Sequence, residues 1–114
     1  MILDVGEKVH VIERRSFAED LCRHFVGQII RCSENAFRAK GNVWVYDYTK
    51  GQFLCKPAVR ERVINFRGDI LTINVIPNEV NLSEIQYVIT QDKGTIVTDG
   101  KGFSLDITDF SAIG

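Results

Sequence analysis

Strand-length runs of alternating polar and apolar residues follow one another along nearly the whole chain, and turn residues interrupt them at intervals of roughly 8–12 positions. That rhythm is too short for long helices and points to a mainly β protein. Lys8-Val9-His10-Val11-Ile12-Glu13 is the first run, with Val9 and Val11 on one face. Further strands are expected over residues 25–31, 36–48, 52–55, 59–66 and 70–76, and a last group over 85–90, 95–98 and 103–107. Ser33-Glu34-Asn35, Tyr48-Thr49-Lys50-Gly51, Arg67-Gly68-Asp69, Asp92-Lys93-Gly94 and Asp99-Gly100-Lys101-Gly102 supply the turns. Their Gly, Asn, Asp and Ser residues tolerate positive φ or bond their own backbone. Gly27 marks a bend inside its strand, and Gly41-Asn42 is a candidate break in the next. Pro57 has no ladder donor, which confines it to an edge or a bulge. Residues 78–84 read as a short helical or extended link.

One segment departs from the β rhythm. Ser16-Phe17-Ala18-Glu19 is a capping box, in which the Ser16 hydroxyl accepts from the Glu19 backbone N–H and the Glu19 carboxylate accepts from that of Ser16. Phe17, Leu21 and Phe25 then fall at i, i+4 and i+8, one apolar helical stripe. A short helix is expected over residues 17–24. It would turn Cys22 and His24, two residues apart, to different sides.

At 114 residues, the chain is the length of one domain, and 14 Lys and Arg against 15 Asp and Glu give no overall pull toward nucleic acid or an anionic membrane. Cys22, Cys32 and Cys55 form no C-x-x-C pair, and each reads as a small buried hydrophobe. Asp4 stands where a secretory signal needs basic residues, and no apolar run approaches the ~18 residues of a membrane span. A cytoplasmic protein without membrane contact is expected. His10 and His24 are the only histidines and lie in no metal-ligand spacing. Asp99-Gly100-Lys101-Gly102 lacks the strand–loop–helix context and spacing of a phosphate loop, and Asp106 and Asp109 have no partner base nearby in sequence. No catalytic set, metal site or cofactor is expected.

Residues 14–80 carry a family resemblance. Phe25-Val26-Gly27-Gln28-Ile29-Ile30, after the expected helix, is similar to the first strand of the Sm-like family. The stretch Val63-Ile64-Asn65-Phe66-Arg67-Gly68-Asp69-Ile70-Leu71-Thr72-Ile73-Asn74-Val75-Ile76-Pro77 resembles that family's second motif: apolar residues, Arg-Gly, an apolar strand, then proline. The resemblance implies a small Sm-like barrel, with another SH3-like barrel as the alternative, carrying a short N-terminal helix and an added C-terminal β-meander. It also implies RNA contact at Arg67-Gly68. The family's first motif places Asp and then Asn after its glycine. Here Glu34 and Phe37 fall near those positions, so Phe37 would stack on a base where the family uses an amide. Phe37, Arg38, Arg67 and Gly68 are thus the candidate nucleic-acid-binding residues.

A second candidate surface comes from the residues alone. Trp44, Tyr46 and Tyr48 sit two apart on one strand and project from one face, opposite Val43 and Val45. Lys56, Arg60, Arg62 and Arg67 form a basic stretch, with Arg60 and Arg62 on a shared face, and Arg38 and Lys40 repeat the pattern on the strand before. Trp44, Tyr46, Tyr48, Arg60 and Arg62 make up the candidate interaction surface. The expected function is a non-catalytic protein-interaction or assembly module that pairs with neighbours through the aromatic stripe and the exposed edge around Pro57, with homo-oligomers among its partners. The rival is an Sm-like protein that binds single-stranded RNA through Arg67-Gly68. The chain is expected to be one domain, residues 14–80 forming the core and 81–114 a meander packed on it. That meander must cover something, either its own barrel at Trp44 or a second copy across a two-fold axis.

Overall fold

The computed structural model describes residues 2–13, 22–68, 70–90 and 94–108. The strands are β1 (Lys8–Glu13), β2 (Arg23–Cys32), β3 (Ala36–Asp47), β4 (Gln52–Cys55), β5 (Arg60–Asn65), β6 (Ile70–Ile76), β7 (Gln86–Thr90), β8 (Gly94–Thr98) and β9 (Ser104–Asp106), with a 3₁₀ turn at Leu82–Glu84. They form two antiparallel sheets. One runs β4-β3-β2-β1-β6, with β5 also on β3, and the other runs β7-β8-β9.

Residues 17–21 of the expected helix, with the Ser16 cap before them, lie outside the described residues. Its last two residues, Arg23 and His24, are strand: they open β2, opposite Val45 and Trp44 of β3. β3 also runs unbroken through Gly41-Asn42. Gly41 lies directly opposite Gly27 of β2. A Cβ on Gly41 would strike the Val26 carbonyl, and one on Gly27 would strike the Lys40 carbonyl. Only glycine at both places lets the two backbones pass this closely.

The first sheet curls. β5 and β1 are three ladder spacings apart, ~14 Å in a flat sheet, yet Arg62 Nη1 lies 2.8 Å from Glu13 Oε1. The concave face gathers Val9, Val11, Phe25, Ile29, Phe37, Ala39, Val43, Val45 and Ile64 into one buried cluster. The curl does not become the expected barrel. Strand directions alternate across the sheet, so β5 and β6 point the same way. Side-by-side parallel strands need a crossover of a dozen or more residues, and only residues 66–69 separate Asn65 from Ile70. The chain therefore crosses from one edge to the other, and no ladder joins β5 to β6 among the described residues.

The two edges differ. β4 pairs with the last residues of β3 and β5 with the first, so together they make one interrupted edge strand. Pro57 sits in the interruption, where Asn42 Nδ2 donates to the carbonyls of Lys56 at 3.1 Å and Ala58 at 3.5 Å. The opposite edge is β6, paired with β1 along its length.

The second sheet lies on the other face of the first. Val26, Ile76, Val80, Ile85, Val97 and Ile107 form the cluster between them. The Tyr87 ring packs on Trp44 at 4.7 Å and on Phe53 at 4.5 Å. Lys8 Nζ donates to the carbonyls of Asn78 and Val80 and so ties the link between the sheets to β1. Each large side chain covered this way contributes roughly 1.5–3 kcal/mol.

Candidate functional site

Of the four residues suggested by the family resemblance, three are exposed and Phe37 is buried. Arg67 and Gly68 are exposed in the turn after β5, where the Arg67 N–H donates to Asn65 Oδ1 at 2.9 Å. Arg38 is exposed on β3. Phe37 is 2% exposed, because it shares the concave face with Ala39 and Val43, and its ring packs on Phe66 at 5.5 Å. It has no face to offer a base.

The aromatic stripe is divided in the same way. Tyr46 is buried against Phe53, and Trp44 is half-buried under Tyr87. Of the three rings only Tyr48, in the turn after β3, is open to solvent, at 54%. Cys55, expected to be buried, is exposed as well.

The basic stretch does converge. In the ladder Arg23 lies opposite Val45, and Val45 opposite Leu54. Arg23 therefore stands beside the segment bearing Lys56, Arg60 and Arg62 at the rim of the concave face. These four cations, with Glu13 and Glu61, line an open cavity of about 480 Å3 floored by Val43. Arg62 is held by Glu13. Lys56 also borders a neighbouring cavity of about 360 Å3 lined by Tyr46, Tyr48 and Leu54. Arg67 lines neither cavity. Arg23 was not visible as a member of this group, since the capping-box reading placed it on a helix.

A polar cluster between the sheets had no sequence signal. His10 and His24 are both fully buried. His10 Nε2 and His24 Nδ1 are 3.1 Å apart, and the Tyr87 hydroxyl is 2.9 Å from each. Asn74 Nδ2 is 3.2 Å from His10 Nδ1, and Cys22 Sγ is 3.5 Å from His24 Nε2. One proton arrangement satisfies every member. The Asn74 amide donates to His10 Nδ1, which leaves the His10 proton on Nε2, where it is donated to the Tyr87 oxygen. The Tyr87 hydroxyl donates to His24 Nδ1, and His24 Nε2–H points at the Cys22 sulfur. No buried side-chain nitrogen or oxygen among the described residues lacks a partner. Strand geometry brings Cys22 to His24, because residues i and i+2 share a face; the helix reading had separated them.

Burial lowers His10 from 6.5 to about 4. It lowers His24 to about 3, with repulsion from His10 adding to the effect. Burial also pushes the Tyr87 hydroxyl well above its usual range. Both rings are thus neutral at pH 7. Among the described residues, no group of three or more His, Cys, Asp or Glu is placed to hold a metal ion. No helix among them is long and apolar enough to cross a membrane.

Fold and sites together define a mainly β protein of two stacked antiparallel sheets. Comparisons with protein families, with curated proteins and with solved structures gave no match.

Proposed function

We propose that the protein is a non-catalytic interaction and assembly module that takes up a strand of a neighbouring chain along β6. The contrast between the two edges of the first sheet carries this reading. The β4–β5 edge is guarded: Pro57 interrupts it, and Lys56, Arg60, Glu61 and Arg62 put charge along it. On β6, Thr72-Ile73-Asn74-Val75-Ile76 has neither charge nor proline, and β1 is its one partner strand among the described residues. Edges of this kind are templates for strand addition, and proteins that avoid such pairing blunt them. Val75, 54% exposed, sits on this edge. A second copy is the simplest occupant, since β6 paired with itself across a two-fold axis is antiparallel and isologous. The enclosed, neutral imidazoles support a non-catalytic role. Three cysteines present as thiols suit a reducing, cytoplasmic setting.

Light scattering across a concentration series tests this. The wild type is expected to self-associate. Val75→Lys is expected to be monomeric and to melt like the wild type at concentrations where the wild type is itself monomeric, and Val63→Lys, on the guarded edge, to associate like the wild type. A wild-type protein that stays monomeric up to millimolar concentration contradicts the reading.

The rival, RNA binding of the Sm-like kind, draws on the exposed Arg67, Gly68 and Arg38 but has lost the stacking ring of Phe37 to the core. It requires salt-sensitive binding of single-stranded RNA that weakens in Arg67→Ala. Unchanged binding in that variant counts against it.

A further inference from the structure

The rim of the concave face has the attributes of a ligand site distinct from the β6 edge. We infer that it binds a nucleoside 5′-monophosphate, with the phosphoryl group held by Arg23, Lys56 and Arg60 and the base laid on Tyr48.

Charge selects the ligand. Arg62 is committed to Glu13 at 2.8 Å. Among the described residues, the remaining charges on the cavity are Arg23, Lys56 and Arg60 against Glu61, three positive and one negative, which leaves two positive charges. A phosphate monoester carries roughly −1.5 to −2 at neutral pH and presents three acceptor oxygens. A phosphodiester carries a single charge, so a nucleic-acid strand or a cyclic nucleotide matches the site less well. Guanidinium groups from two different strands can grip the terminal phosphate from two sides, each through paired N–H donors.

The adjoining cavity supplies the second half. It meets the basic one at Lys56, and its walls include Tyr48 and Leu54. The Tyr48 ring packs edge-on against the buried Tyr46 ring at 4.9 Å, a contact that favours one orientation before anything binds. The nearby Asp47 carboxylate is engaged by the backbone N–H groups of Thr49 at 2.9 Å and Lys50 at 3.3 Å. The two cavities, about 480 and 360 Å3, each fall within the span of small-molecule sites. A phosphate joined through a ribose to a planar base has the same layout: a dianion at one end and a stacking surface at the other.

Titration calorimetry at pH 7.5 and low salt tests this with five probes: adenosine 5′-monophosphate, cyclic adenosine monophosphate, inorganic phosphate, adenosine, and a short oligoadenylate without terminal phosphate. The monophosphate is expected to bind at least about tenfold tighter than each of the others. Arg23→Ala and Arg60→Ala should each weaken it by about tenfold or more. Tyr48→Ala should bring it down to the affinity of inorganic phosphate while leaving inorganic phosphate unchanged, a split that a loss of folding cannot produce. A monophosphate that binds no tighter than inorganic phosphate, or no tighter than the cyclic ester, overturns the assignment. An oligoadenylate that binds more tightly than the monophosphate overturns it too, in favour of a strand-binding surface.

Discussion

Acidification from pH 6.5 to pH 4 is expected to remove most of the protein's folding stability. The cause is the pair of enclosed imidazoles. In the unfolded chain both take up a proton near the ordinary value of 6.5. In the folded protein they do so only near 4 for His10 and near 3 for His24. Below pH 6.5 the unfolded state therefore binds more protons than the folded one, and stability falls with pH. Each imidazole contributes about 1.4 kcal/mol per pH unit. Two of them acting to pH 4 give a loss on the order of 5 kcal/mol, comparable with the whole stability of a small domain. Thermal melts followed by near-ultraviolet circular dichroism at pH 7, 5.5 and 4 should show the melting temperature dropping by tens of degrees. A melting temperature that is flat over this range would contradict the enclosure of the pair. So would ring resonances that titrate near 6.5 in the folded protein.

The second large effect concerns the smaller sheet. Ending the chain after Pro77 removes Val80, Ile85, Tyr87, Val97 and Ile107 from the layer between the sheets. Val26, Ile76 and Trp44 lose their cover, and His10 and His24 lose the hydroxyl that joins them. Five large side chains at roughly 1.5–3 kcal/mol each amount to more than a typical domain can spare. The truncated chain is expected to aggregate or unfold, with Trp44 emission shifted to the red. A soluble, folded fragment with unchanged Trp44 fluorescence would make the second sheet a dispensable appendage.

Most strands were legible because alternation is a local signal. The reading of residues 8–13 and 70–76 matches β1 and β6 residue for residue, and Pro57 lies at the edge, in the gap between β4 and β5, where no ladder donor is needed. The helix reading shows where local signals mislead. Phe17, Leu21 and Phe25 are four apart, which is one helical face, but four is also a multiple of two, so the same residues suit one face of a strand. Phe25 is in fact buried in β2. That single choice hid both Arg23, which belongs with Lys56 and Arg60, and the His24–Cys22 contact. The histidine pair depends on register: Ile12 faces His24 and His10 faces Val26, so the two imidazoles are diagonal neighbours on one face. A β1–β2 hairpin drawn with both histidines on the inner side would have found them. Tyr87 joins them from 63 residues beyond His24, and nothing local announces it. The open sheet was equally out of reach, because it follows from strand directions and the length of the 66–69 crossing rather than from the composition of any strand.

Hydrogen–deuterium exchange at several protein concentrations tests the central claim, that β6 is the edge through which this protein assembles. The backbone amides of Thr72–Ile76 that point away from β1 should exchange rapidly in dilute protein and slow progressively as concentration rises, while those on the outer side of Arg60–Asn65 should not change. Exchange in β6 that is independent of concentration, or protection that appears on β5 instead, would contradict it.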